Sequence, residues 1–150
     1  MAILDNKDYK ILKLLQKDAR APYKKIAEQM KVSEGTIHNR IDRLKKAGVL
    51  RGFSADIDFE KLGYTITAVI GILAHGPKLV RVEETISTFK NITCVYDVAG
   101  TYDVIVIAKF KSRAELDSFV KSMGQIQDIE RTFTYLVLNT KKEDLNSVQI

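Results

Sequence analysis

The residues of this chain whose types and spacing could do chemistry cluster between Ser33 and Lys46, in the run SEGTIHNRIDRLKK. Asn and Arg side chains can hydrogen-bond base edges in pairs, while Ser, Thr and Lys side chains suit phosphate oxygens. At about 100° per residue, a helix over this run puts Ile37, Ile41 and Leu44 on one apolar stripe and Gly35, Asn39, Asp42 and Lys46 opposite it. Thr36 and Arg43 flank the outer face on one side and His38 on the other, with Arg40 nearer the core edge. In helices that enter a DNA groove, the N-terminal residues reach the bases. Thr36, His38, Asn39 and Arg40 are therefore the expected base contacts. Ser33, Arg43, Lys45 and Lys46 are the expected phosphate contacts, and Gly35 lets the start of the helix approach a phosphate closely.

A solvated amphipathic helix in a small bundle would show a similar pattern, because most charged helix faces simply meet water. Charge distribution favours the nucleic-acid reading. Residues 1–51 hold 13 Lys and Arg against 6 Asp and Glu, a net of +7, while residues 52–150 hold 11 against 13, a net of −2. All the positive excess lies in the segment that carries the outward-facing helix, as phosphate binding requires.

The elements around this helix follow from local signals. Ile26, Ala27 and Met30 share one face of a preceding helix that Pro22 can open. Lys31 and Val32 make a tight turn, Ser33 is a good N-cap, and Gly48 falls where a left-handed C-terminal cap belongs. An earlier helix starts from Asp5, buries Ile11, Leu12 and Leu15, and runs to about Asp18. Three helices ending in a helix-turn-helix make a winged-helix-like head. The alternating segment Val49–Asp58 predicts a short strand leading away from the head, and Asp58–Tyr64 (DFEKLGY) predicts a linker turn.

From Thr65 the hydrophobic period alternates in a regular order. Strands are expected at 65–74, 94–99, 102–110 and 131–138, with helices marked by Leu79, Val82, Ile86 and Phe89, and by Leu116, Phe119, Val120 and Met123. The order βαββαβ is that of a ferredoxin-like α+β domain whose helices cover one sheet face. Yet the strands are apolar on both faces: Val104, Val106 and Ala108 alternate with Ile105 and Ile107. A sheet wet on one side would show polar alternation, so a homodimer through the second face is expected. The tail from Asn139 is too polar to cover it.

Other chemistry is thinly represented. The two histidines, His38 and His75, and the single Cys94 give neither a zinc-ligand spacing nor a Cys/His nucleophile, and no phosphate-binding glycine loop occurs. Glu83 and Glu84 are expected on a solvated helix side. No catalytic residue and no metal site is expected. A single cysteine, which cannot form an internal disulfide, no apolar run of about 18 residues and no signal-peptide pattern point to a cytoplasmic protein without a membrane segment. The loop AGTYD, Ala99–Asp103, is either an ordinary hairpin turn or a polar site beside the sheet interface.

The whole chain resembles the Lrp/AsnC family, the feast/famine transcriptional regulators. The likeness is carried by LDNKDYKILKLLQKDAR at the start, SEGTIHNRIDRLKKAGVLRGF at the helix-turn-helix, the DFEKLGY linker and the G-x-Y-D turn. The resemblance implies a DNA-binding domain over 1–51, a linker strand and turn over 52–64, and a ferredoxin-like dimerisation and effector domain over 65–150. It implies a homodimer on a palindromic double-stranded DNA site, further assembly such as an octamer, and an amino-acid effector bound between dimers in place of any cofactor. The effector residues it implies are Gly100, Thr101, Tyr102 and Asp103, with Thr132 and Thr134 from a neighbouring dimer. Thr101 departs from the frequent G-D-Y-D form and so removes one carboxylate partner for an ammonium group. Two other functions remain open at this level: an effector-independent architectural DNA-binding protein, and a tetrapyrrole-modifying enzyme relative that would depend on His75.

Overall fold

The first helix is started by a reciprocal cap. The Asp8 N–H donates to the Asp5 carboxylate at 2.9 Å and the Asp5 N–H donates to the Asp8 carboxylate at 3.0 Å, which satisfies donors that a bare helix end leaves orphaned. The computed structural model, which describes residues 4–144 and 148, extends this helix, α1, over Asn6–Lys17. Helix α2 follows over Tyr23–Met30 and α3 over Glu34–Lys46. Lys31 closes α2 at a φ of 55°, and the Val32 N–H reaches back to the Ala27 carbonyl at 3.1 Å. Ser33 then caps α3 by accepting from the Thr36 N–H at 3.2 Å. At the far end Gly48 takes a φ of 70°, where a side chain would be strained, and the Val49 N–H donates to the Leu44 carbonyl at 3.0 Å. Ile11, Ile37, Ile41 and Leu44 are fully buried and pack with Leu15, Ile26 and Ala27 as the core of this unit.

The strand predicted over Val49–Asp58 does not form. Arg51–Asp58 carries no regular structure, and the one sheet among the described residues is built without it. Alternation supplies a face, but a strand also needs a neighbour for its N–H and C=O groups, and the head offers none. The linker turn does form. The Lys61 N–H donates to Asp58 at 3.1 Å and Gly63 closes the turn at a φ of 89°.

The chain divides into two compact units, one reaching Asp56 and including the described residues from Lys142 onward, the other Ile57–Lys141. The last described residues of the expected domain 65–150 cluster with the first unit, where Gln16 donates to the Val148 carbonyl at 2.8 Å. The outermost bounds, residues 1 and 150, lie outside the described residues.

The second unit has the expected order. Strands β1 (Ile66–Ala74), β2 (Ile92–Asp97), β3 (Val104–Phe110) and β4 (Ile129–Leu136) alternate with α4 (Leu79–Ser87) and α5 (Arg113–Met123). The sheet order is β2-β3-β1-β4, and every pair is antiparallel. Ala68, Ile70 and Ile72 of β1 and Val104, Val106, Ala108 and Phe110 of β3 pack against Val82, Ile86, Phe119 and Met123. Their neighbours on the other face are Val69 and Leu73, Ile105 and Ile107, and Phe133 and Tyr135, which are half-buried or exposed. That face is apolar at its centre, with Thr67, Lys109 and Arg131 toward the strand ends, and no helix among the described residues covers it. β2, β3 and β4 each sit about two residues from their expected bounds, because Val98–Asp103 leaves the ladder as a loop and a bulge at Leu73/Ala74 shifts β4 toward the N-terminus.

Candidate functional site

Helix α3 presents the expected outer face. His38, Asn39, Lys45 and Lys46 are exposed, and the Asn39 amide makes no hydrogen bond among the described residues. The His38 ring stands edge-on to Tyr23 of α2, with centroids 4.6 Å apart, which limits its rotation without using its ring nitrogens. Thr36 is half-buried and its hydroxyl shares a 2.8 Å hydrogen bond with Ser33, so both hydroxyls belong to the cap as well as to the outer face. Lys45 lies over the Phe53 ring at 5.5 Å. Around Gly35 an added Cβ would meet nothing within 4 Å.

Arg40 is turned inward instead. One terminal nitrogen of its guanidinium donates to both Asp5 oxygens, at 2.9 and 2.8 Å, and to Asp8 Oδ1 at 2.8 Å. Arg43 pairs with the other oxygen of Asp8, whose side chain is completely buried. The sequence expectation that Arg40 contacts bases thus meets a side chain engaged on α1. The Arg40 guanidinium holds the Asp5 carboxyl down at about 2, well below the ordinary value of about 3.9. A depressed carboxyl stabilises the fold above its unfolded pKa and loses that contribution as pH falls through the folded one. The head is expected to keep the contribution of this pair above about pH 4 and to lose that contribution between about pH 4 and 2, as followed by far-UV circular dichroism. Asp5→Asn should remove that part of the acid transition; an unchanged transition would show that the pair contributes nothing.

In the second unit the turn Ala99–Asp103 is anchored from both ends. The Asp103 carboxylate accepts from the Ala74 N–H at 2.9 Å, its N–H donates to the Ile72 carbonyl, and its carbonyl accepts from the Val98 N–H, both at 3.0 Å. Gly100 and Thr101 are exposed at the tip. Tyr102 folds over β1: a Cβ on Gly71 would lie 2.7 Å from the Tyr102 ring. Its hydroxyl is hydrogen-bonded to that of Tyr135, which together with burial pushes the Tyr102 pKa up. Phe133 completes the aromatic group, its centroid 5.4 Å from that of Tyr102. Thr132 and Thr134 pair with Ile72 and Ile70 and so point to the helix side of the sheet, opposite Tyr102. One chain therefore does not bring the six expected effector residues to a single place. Gly71→Ala should displace Tyr102 and lower stability by about 1–3 kcal/mol through overpacking. Thermal unfolding checks this, and an unchanged midpoint would mean the ring yields freely.

Residues 4–45 match the AsnC-type helix-turn-helix domain, and residues 67–146 match the Lrp/AsnC ligand binding domain. The chain belongs to the Lrp/AsnC family. Among its relatives, an HTH-type transcriptional regulator of Pyrococcus furiosus is 48% identical over 141 residues, 94% of this chain and 95% of the relative. The regulatory protein AsnC of Haemophilus influenzae is 34% identical over 135 residues, 89% of this chain and 90% of that one. The structure of Escherichia coli AsnC superposes with a TM-score of 0.88 at 28% identity, covering 95% of this chain and 97% of that one. This Lrp/AsnC protein is a transcriptional regulator with a DNA-binding helix-turn-helix and a ligand-binding domain. Among its described residues no helix is long and apolar enough to cross a membrane.

Two sets of residues in this Lrp/AsnC chain escape a reading of α3 and the turn alone. Tyr23 is the shelf for His38, and Asp5 and Asp8 are the partners of the arginines. Asp8 did leave a signal. It stands three residues before Ile11 and seven before Leu15, on the buried stripe of α1, and a carboxylate at such a position requires counter-charges from a neighbouring element. Gly71 and Tyr135 left none, because their partnership with Tyr102 comes from strand register.

Proposed function

We propose that this regulator binds a palindromic DNA site as a homodimer formed through the open sheet face, and that an amino acid bound between dimers at the Ala99–Asp103 turn controls further assembly, up to an octamer, and DNA affinity. The observation that carries the reading is the uncovered apolar face of the sheet. Val69, Leu73, Ile105, Ile107 and Phe133 are too apolar to be left to water, and an isologous contact would bury them in both copies at once. A two-fold pair of α3 helices then calls for two half-sites related by the same symmetry.

The turn supports the effector part of the reading. Its hydroxyls at Thr101 and Tyr102 and the Asp103 carboxylate are polar groups at the mouth of an apolar sheet, and Thr132 and Thr134 could join them only from another copy. Asp103 uses Oδ2 on the Ala74 N–H, which leaves Oδ1 as the turn's carboxylate oxygen for an ammonium group. A thermal-shift screen of the twenty amino acids, run beside native mass measurement, tests this. One or a few should raise the midpoint and change the assembly mass. If none does either, the architectural, effector-independent reading replaces it.

Gly35 supports close approach of α3 to DNA. No described residue occupies the space a Cβ would take there, and glycine costs a helix about 1 kcal/mol relative to alanine. Gly35→Ala is therefore expected to raise the stability of the head by up to about 1 kcal/mol while weakening DNA binding. Thermal unfolding and fluorescence anisotropy measure the two; equal or tighter binding would place the start of α3 away from the duplex.

A further inference from the structure

The geometry points to Asp8 as a specificity-determining positioning residue of the DNA-binding head: it withdraws Arg40 from the DNA-facing side of α3 and fixes Arg43 by one edge. The Asp8 side chain is fully buried, and its two oxygens take Arg40 at 2.8 Å and Arg43 respectively. Asp5 adds a second carboxylate to the same Arg40 nitrogen at 2.8 Å. Arg40 retains 20% side-chain exposure and Arg43 retains 55%, so only Arg43 still offers a substantial outward edge.

Stability alone is a weak reason for such a network. Buried ion pairs replaced by apolar groups of similar size are often neutral or stabilising, because desolvation offsets the attraction. What the network does change is the count of free positive charges on α3. Sequence-independent affinity grows with every phosphate neutralised, and the slope of log affinity against log salt grows with it. A helix with Arg40, Arg43, Lys45 and Lys46 all free would bind any duplex strongly. With Arg40 held on α1, the outer face keeps fewer phosphate contacts and more of the binding energy passes through Asn39 and His38, which can distinguish bases. The same pairing sets how α3 rotates against α1, and so which side chains point outward.

The test uses the full-length protein, a duplex selected by the wild type from a random pool, and a scrambled duplex, with anisotropy titrations at several salt concentrations. Asp8→Asn keeps the shape and removes the charge. Binding to the scrambled duplex should tighten, the salt slope should steepen by about 0.9 for each arginine that gains a phosphate, and the preference for the selected duplex should fall. Asp8→Asn with Arg40→Gln should return the slope toward the wild-type value. Equal weakening on both duplexes at an unchanged slope would make Asp8 merely structural and overturn the assignment. Should Asp8→Asn lose its helical circular dichroism, Arg40→Gln alone decides. An unchanged slope supports the assignment, because Arg40 then neutralises no phosphate, and a slope shallower by about 0.9 shows Arg40 on a phosphate and overturns it. The inference rests on DNA binding by the head and not on the effector, so a failed amino-acid screen leaves it standing. A wild type unable to prefer any selected duplex overturns it together with the palindromic-site reading.

Discussion

Ile107→Asp is expected to convert the proposed dimer into monomers and to weaken binding to a two-half-site duplex by about two orders of magnitude or more. Ile107 stands mid-strand on the open face, paired with Val69 on one side and Cys94 on the other. A carboxylate there would be buried unpaired against a second sheet, at a cost of several kcal/mol in each copy, and the two-fold symmetry applies that cost twice. The fold of each monomer should survive, because Ile107 points away from the helices while its neighbours Val106 and Ala108 are the fully buried ones. Loss of DNA affinity follows from geometry. Joining two heads makes the second half-site encounter intramolecular, which multiplies affinity by roughly a hundredfold to ten-thousandfold, and monomers forfeit that factor. Sedimentation gives the mass, circular dichroism gives the fold, and anisotropy gives the binding. A folded variant that remains dimeric would move the interface elsewhere.

That prediction can be made because the second face was legible in the alternation of residues 104–108, where neither register is polar. The recognition head was legible for a similar reason. Ile37, Ile41 and Leu44 recur at helical spacing, Ser33 and Gly48 mark the ends, and each of these signals is local. Where local signals need a distant partner, sequence reading stops. Arg51–Asp58 has the period of a strand but no strand beside it among the described residues. Arg40 has the chemistry of a base reader, but helix packing brings it within 2.8 Å of Asp5, 35 residues away. Tyr102 looks like part of a hairpin strand, yet the missing side chain at Gly71 gives its ring a seat on β1, and it leaves the ladder. In each case the deciding neighbour is set by tertiary register, which spacing along one segment does not contain.

The same distinction fixes what to expect of α3 itself. Asn39→Ala should cost about 1–3 kcal/mol per half-site, up to about a hundredfold for each head, and should relax sequence preference at one position of the site. Asn39 is exposed on the outer face, and its amide makes no hydrogen bond among the described residues, so it can form two hydrogen bonds to a base edge without first breaking any. Lys46→Ala, one helical repeat of seven residues farther along the same face, should behave differently. It should weaken selected and scrambled duplexes alike and make the salt slope shallower by about 1. Arg40 is excluded from this comparison by its pairing with Asp5 and Asp8, so a loss of discrimination in Asn39→Ala can be assigned to the amide. If Asn39→Ala instead weakens all duplexes equally and flattens the salt slope, the amide binds backbone. The base-reading surface of α3 would then lie on the His38 side, where the Tyr23 ring already holds one side chain in place.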